Sequence, residues 1–217
     1  MNVHLVTPLD ADVFVATWAQ VGNSHKENKT VTDTVTLEDV VEVFGAKAAV
    51  VESFDVSYYD ELSGVQRPVQ LAEAEPIHSK SALPSFYMIE RANALKKKAE
   101  EEAGQRYDIV IRIRPDLLLD GSVDFIRDAQ VDDNMIWASD LLIDTNTQVS
   151  DKFVFGSSFA MDRYANLFGR LPHYWEQCSG AHSWEEAPVG ERLVRRYCKD
   201  EGLAVTFFNT PCKIHRW

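Results

Sequence analysis

The run Tyr107-Asp108-Ile109-Val110-Ile111-Arg112-Ile113-Arg114-Pro115-Asp116 constrains the fold of this chain more than any other. Ile109, Val110, Ile111 and Ile113 are the β-branched apolar residues of a buried strand. Arg112 and Arg114 interrupt the apolar run and Asp116 ends it. Arginine is seldom buried without a partner, so two guanidinium groups and a carboxylate at one strand end call for an anionic partner or a bound ion. Side chains alternate along a strand, which puts positions 112, 114 and 116 on one side. A row of plus, plus and minus suits a diphosphate with a divalent metal. Guanidinium groups grip phosphate oxygens bidentately, and a carboxylate binds Mg²⁺ or Mn²⁺. The alternative is an internal Arg–Asp ion-pair network. Ligands of open α/β sheets bind at the ends of strands, so the run is read as one wall of a site for an anionic, phosphate-bearing substrate.

Around this strand the pattern alternates between strands and helices. Strands are predicted over 11–18, 48–54, 135–138, 152–156 and 203–208. Helices are predicted over 36–44, with Thr36 as N-cap and Gly45 as stop, and over 85–104, 158–168, 172–178 and 188–202. The polar stretches 19–33 and 55–84 read as loops, and Asp120-Gly121-Ser122 as a turn. The charged run Lys96 to Glu102 reads as a solvated helix face, with Lys97 paired to Glu101 and Lys98 to Glu102. Alternation in the first half predicts an α/β fold with a mixed, mostly parallel sheet flanked by helices. The short strands near 135 and 152 make the second half the mixed part.

A length of 217 residues, 45% of them hydrophobic, supports one sizeable core, and a single domain over 1–217 is the simplest organisation. The net charge of -12 argues against general nucleic-acid binding, which needs a basic surface. No run is long and apolar enough to span a membrane, and the N-terminus lacks the basic and apolar regions of a signal peptide. Cys178, Cys198 and Cys212 are odd in number, widely spaced and without a C-x-x-C pair. Reduced thiols in a cytoplasmic compartment are therefore expected. No dinucleotide fingerprint, P-loop, H-E-x-x-H or G-x-S-x-G is present. His4, His25, His78, His173, His182 and His215 form no tight ligand pattern. Trp18, Trp137, Tyr174, Trp175 and Trp184 offer ring faces to sugars, against the plainer reading of packing; Trp184, in a polar loop, suits binding best.

The motif Tyr107-Asp108-x-Val110-x-Arg112-x-Arg114-x-Asp116-Leu117 resembles the central motif of a group of nucleotide-sugar glycosyltransferases with the GT-A fold. The group includes WavE-like lipopolysaccharide and capsule-synthesis proteins and relatives in large DNA viruses. Ala11 to Trp18, Asp151 to Ser157 with Met161 and Tyr164, and Glu191 with Leu193 resemble three more of its segments, in the same order along most of the chain. The group usually opens with one further strand, carrying a glycine and an arginine, ahead of the segment matched here by 11–18.

The resemblance implies a GT-A-like domain that moves a sugar from a nucleotide-diphosphate donor to a hydroxyl of a glycan acceptor, in polysaccharide biosynthesis. It implies that Asp116 takes the place of the metal- or donor-binding acid of a D-x-D motif. Here that motif reads Arg114-Pro115-Asp116, without the first acid. Arg112 and Arg114 would face the donor diphosphate, Mn²⁺ or Mg²⁺ would sit at Asp116, and Asp151 would lie near the acceptor. Glu191 is the candidate base for the acceptor proton, against the plainer reading of an acid favoured by a helix N-terminus. Some GT-A enzymes use a late histidine as a further metal ligand, but the spacing of His215 carries little information and a surface histidine is the better reading. A non-catalytic sugar- or nucleotide-binding member of the same fold is the alternative. A metal-dependent phosphate-ester hydrolase ranks behind both, because no second clustered acid is apparent.

Overall fold

The computed structural model describes residues 5–20, 34–53, 77–121, 123–141, 143–178, 190–209 and 212–214. In chain order they form a helical turn at Thr7–Leu9, then β1 (Phe14–Trp18), α1 (Leu37–Phe44), β2 (Ala48–Glu52), α2 (Ile77–Ala103), β3 (Val110–Ile113) and β4 (Leu117–Leu119). After a 3-10 turn at Asp124–Ile126 come β5 (Met135–Ser139), β6 (Phe153–Gly156), α3 (Ser158–Ala165), α4 (Leu167–Cys178), α5 (Glu191–Asp200), β7 (Ala204–Phe208) and β8 (Cys212–Ile214). Trp184, His182, His215 and most of the predicted loops at 19–33 and 55–84 lie outside the described residues. No helix among the described residues is long and apolar enough to cross a membrane. The chain divides into two compact units, one from Asp12–Ala99 and Phe168–Ala187, the other from Met1–Ala11, Glu100–Leu167 and Pro188–Trp217.

In the first of these units, β1 and β2 pair in parallel from Phe14 opposite Ala48 to Trp18 opposite Glu52. The crossover helix α1 packs on β2. It starts on a capping box: Thr36 Oγ1 accepts from the Asp39 N–H, and Asp39 Oδ2 accepts from the Thr36 N–H. Helix α2 begins at Ile77, earlier than the predicted 85, and carries Pro84 inside it. Proline has no N–H to give to the preceding turn, and for that reason the sequence reads as a break where the helix in fact continues. Tyr87 and Arg91, one turn apart on α2, each donate to the Glu52 carboxylate at 2.8 Å. Trp18 stacks on the Tyr87 ring at 5.6 Å.

The other unit holds a four-stranded sheet in the order β3-β6-β5-β7. β6 runs antiparallel to β3 and to β5, and only β5 and β7 are parallel. A second, antiparallel pair joins β4 to β8. The sheet is mixed, as expected, but its pairings among the described residues are mostly antiparallel, which corrects the expectation of a mostly parallel sheet. The reason lies in the connections: the segment from β5 to β6 holds no helix among its described residues, and without a crossover a strand returns antiparallel. β6 is buried along its whole length, as its unbroken apolar run requires. Phe153 and Phe155 join Leu5, Leu117, Leu119, Val123 and Ile126 in one buried cluster. Trp137 stacks on Phe155 at 5.8 Å, so its role is packing. α3 packs on β5 and β6, and α5 on β7.

The break expected between the helices over 158–168 and 172–178 falls earlier, at Asn166: α3 ends at Ala165 and α4 begins at Leu167. The Arg163 carbonyl accepts the Asn166 N–H at 3.2 Å and the Tyr197 hydroxyl at 2.5 Å, which closes α3 before α4 begins. Helix α5 is bracketed by Gly190 (φ +54°) and Gly202 (φ +65°), both in the left-handed region that a side chain disfavours. At its end, Leu203 N–H bonds the Cys198 carbonyl and Gly202 N–H the Lys199 carbonyl, a Schellman closure.

Candidate anion site at the ends of β3 and β6

The arginine strand ends sooner than the alternation argument assumed. β3 stops at Ile113, and Arg114 to Leu117 make a turn closed by the Leu117 N–H on the Arg114 carbonyl at 3.3 Å. Pro115 follows Arg114 there, at the turn position whose φ proline presets. The turn, and not a shared strand face, brings Asp116 to Arg114. Arg114 Nε donates to Asp116 Oδ1 at 2.9 Å and Nη2 to Oδ2 at 2.5 Å, a two-pronged ion pair. Burial pulls the Arg114 pKa down. The hydrogen bond and charge of Asp116, with the charges of Asp151 and Glu191, outweigh it and hold the guanidinium above its usual range.

The neighbouring strand supplies the hub. The Lys152 carbonyl accepts from the Arg114 N–H at 2.9 Å and from Arg112 Nη1 at 3.1 Å. The Lys152 N–H is held by Ser150 Oγ at 3.1 Å. Its side chain is only 8% exposed, and its ammonium donates to Glu191 Oε1 at 2.7 Å, with Asp151 Oδ1 at 3.8 Å. Glu191 opens α5, and its carbonyl accepts from the Val149 N–H at 3.0 Å. This bond ties the helix start to the segment leading into β6. Tyr164, on α3, is buried among these groups. Burial drives its pKa far up, Arg112 opposes, and Asp151, Cys198 and Glu191 add to the rise, so the phenol stays protonated. Its hydroxyl is buried and has no hydrogen-bond partner among the described residues.

No protein-family model, no curated protein and no solved structure matches this chain.

All five residues singled out from sequence, Arg112, Arg114, Asp116, Asp151 and Glu191, thus meet in one cluster. Two members were missed. Lys152 carried a legible signal: a lysine set directly against the apolar run Phe153-Val154-Phe155 needs a partner as much as an arginine does. Tyr164 stood only as one of the residues matching the family segment and on the apolar face of α3, with no role attached. The cluster balances three cations, Arg112, Arg114 and Lys152, against three carboxylates. As arranged it offers no oxygen cage for a divalent metal. Both Asp116 oxygens accept from Arg114, and no group of three His, Cys, Asp or Glu among the described residues could hold one. What it does offer is a set of fixed hydrogen-bond donors beside carboxylates that can accept a proton.

Proposed function

We propose that this chain is a GT-A-like glycosyltransferase, acting in the cytoplasm on a nucleotide-diphosphate sugar and a glycan acceptor. The observation that carries the reading is the meeting of Arg112, Arg114 and Lys152 with Asp151 and Glu191 at the ends of β3 and β6. In the reaction, the acceptor hydroxyl oxygen bonds to the anomeric carbon, the bond from that carbon to the diphosphate breaks, and the diphosphate leaves with the electron pair. The cations stabilise that departing charge. Asp151 or Glu191 takes the hydroxyl proton. A metal at Asp116 would require that carboxylate to give up Arg114, so no step is assigned to one.

The closed pairs Arg114–Asp116 and Lys152–Glu191 favour a second reading, a non-catalytic member of the fold that binds sugar or nucleotide. One experiment separates the two. Nucleotide sugars are screened by thermal shift with Mn²⁺, Mg²⁺ or EDTA, and every donor that raises the melting temperature is then assayed for transfer and hydrolysis. Turnover lost in Glu191→Gln, with donor binding kept, supports the transferase. Binding without turnover supports the second reading. No shift with any donor rejects both.

A further inference from the structure

Each cation that would hold a diphosphate is already engaged: Arg114 by Asp116, Lys152 by Glu191 and Asp151, and Arg112 by the Lys152 carbonyl. An ammonium as buried as that of Lys152 keeps a counter-charge, because stripping it leaves an uncompensated buried ion. An anion that takes the ammonium from a carboxylate replaces one counter-charge by another, so such an exchange leaves no bare buried ion. The two partners are unequal in freedom. Lys152 is 8% exposed and fixed at its backbone by Ser150 and by the ladder to Arg114, whereas the Glu191 side chain is 32% exposed. Glu191 is the one that can turn away, and in the first turn of α5 the helix N-terminus stabilises it when it does.

We propose that Lys152 is a phosphate-binding residue of this site, and that an entering diphosphate takes the Lys152 ammonium from Glu191. Glu191 is released to act on an acceptor only once the diphosphate is in place. The exchange rests on the anionic-donor reading above.

The test uses inorganic pyrophosphate as probe and calorimetry on the wild-type chain, Lys152→Met, Glu191→Gln and the double variant. Lys152→Met is expected to bind at least tenfold more weakly, a factor of ten being about 1.4 kcal/mol. Glu191→Gln, which frees the ammonium in advance, is expected to bind several-fold tighter, and that gain is expected to vanish in the Lys152→Met background. A gain that persists there means that Glu191 acts through its general field, and overturns the proposal, as does wild-type affinity in Lys152→Met. A second measurement does not need Lys152→Met to fold. Carbodiimide labelling of Glu191, read by mass spectrometry, is expected to rise in the wild-type chain on saturation with pyrophosphate. Binding with unchanged labelling overturns the exchange and leaves the donor reading standing. Absence of pyrophosphate binding in the wild-type chain removes the donor reading itself, and this inference with it.

Discussion

Arg114 grips Asp116 with two parallel hydrogen bonds across a turn of only one intervening residue. The fork geometry belongs to guanidinium and not to ammonium. Arg114→Lys keeps the charge and loses one prong. The pair is partly solvated, so the expected loss is about 0.5–1 kcal/mol in urea unfolding. Pyrophosphate affinity is expected to fall with it, because lysine presents a point charge where two donors stood. An Arg114→Lys chain with unchanged stability and affinity would mean that the pair is ornamental.

The Tyr164 hydroxyl, buried and without a partner among the described residues, carries the opposite expectation from a usual core substitution. A buried donor without a partner gains nothing and has lost its hydration. Tyr164→Phe is therefore expected to leave unfolding free energy unchanged or to raise it by up to about 1 kcal/mol. A loss of more than that would show that the hydroxyl is bonded, through water or otherwise.

Gly156 lies in β6 opposite both Val110 and Ile136. A Cβ there would stand 3.2 Å from the Met135 carbonyl oxygen, 3.5 Å from Ile136 Cγ2 and 3.6 Å from Ala160 Cβ. The nearest neighbour is backbone and cannot swing aside, and β6 is paired on both edges. Gly156→Ala is expected to cost about 1–3 kcal/mol by overpacking, measured by urea denaturation. A neutral result would mean that the β5 backbone at Met135 gives way by a few tenths of an ångström at little cost.

Burial pushes the Cys198 thiol from 9.0 up to about 12, against smaller opposing effects of Arg195, its own backbone and Arg163. Between those pH values the unfolded chain gives up a proton that the folded chain keeps, so ionisation favours unfolding. The stability contributed by the buried thiol is full below pH 9 and is lost as pH rises toward 12. The stability difference between the wild-type chain and Cys198→Ala is expected to be flat from pH 7 to about 9 and to shrink above it. A difference that stays flat to pH 10.5 would place the thiol in contact with solvent.

The helix of 36–44, the strands near 14, 48, 110, 135, 153 and 204, and the placing of Arg112, Arg114 and Asp116 at a strand end were legible because each is a local pattern, whereas Asp151 and Glu191 came in only through the family resemblance. A cap, a β-branched run, or a charge inside an apolar run is written in neighbouring residues. Helix α2 was read short because Pro84 is a strong local breaker, and the break between α3 and α4 was placed after 168 instead of at Asn166 because the Tyr197 hydroxyl that closes α3 comes from 34 residues away. The parallel β1–β2 pair and a mixed second half were expected from the order of elements, but the predominance of antiparallel pairs was not, since it follows from how connections run in space.

By itself, then, the sequence determined that charged groups would stand at the end of an apolar strand and would need partners, because the cost of burying a charge is a property of the residue. Tertiary structure decided which partners they take. The turn at Pro115 gives Asp116 to Arg114, and the antiparallel pairing of β3 with β6 puts Lys152 beside Arg112 and Arg114. The start of α5 brings Glu191 to Lys152 from 39 residues away. Ion pairing depends on distance, and distance between residues remote in the chain is set only when the chain has folded.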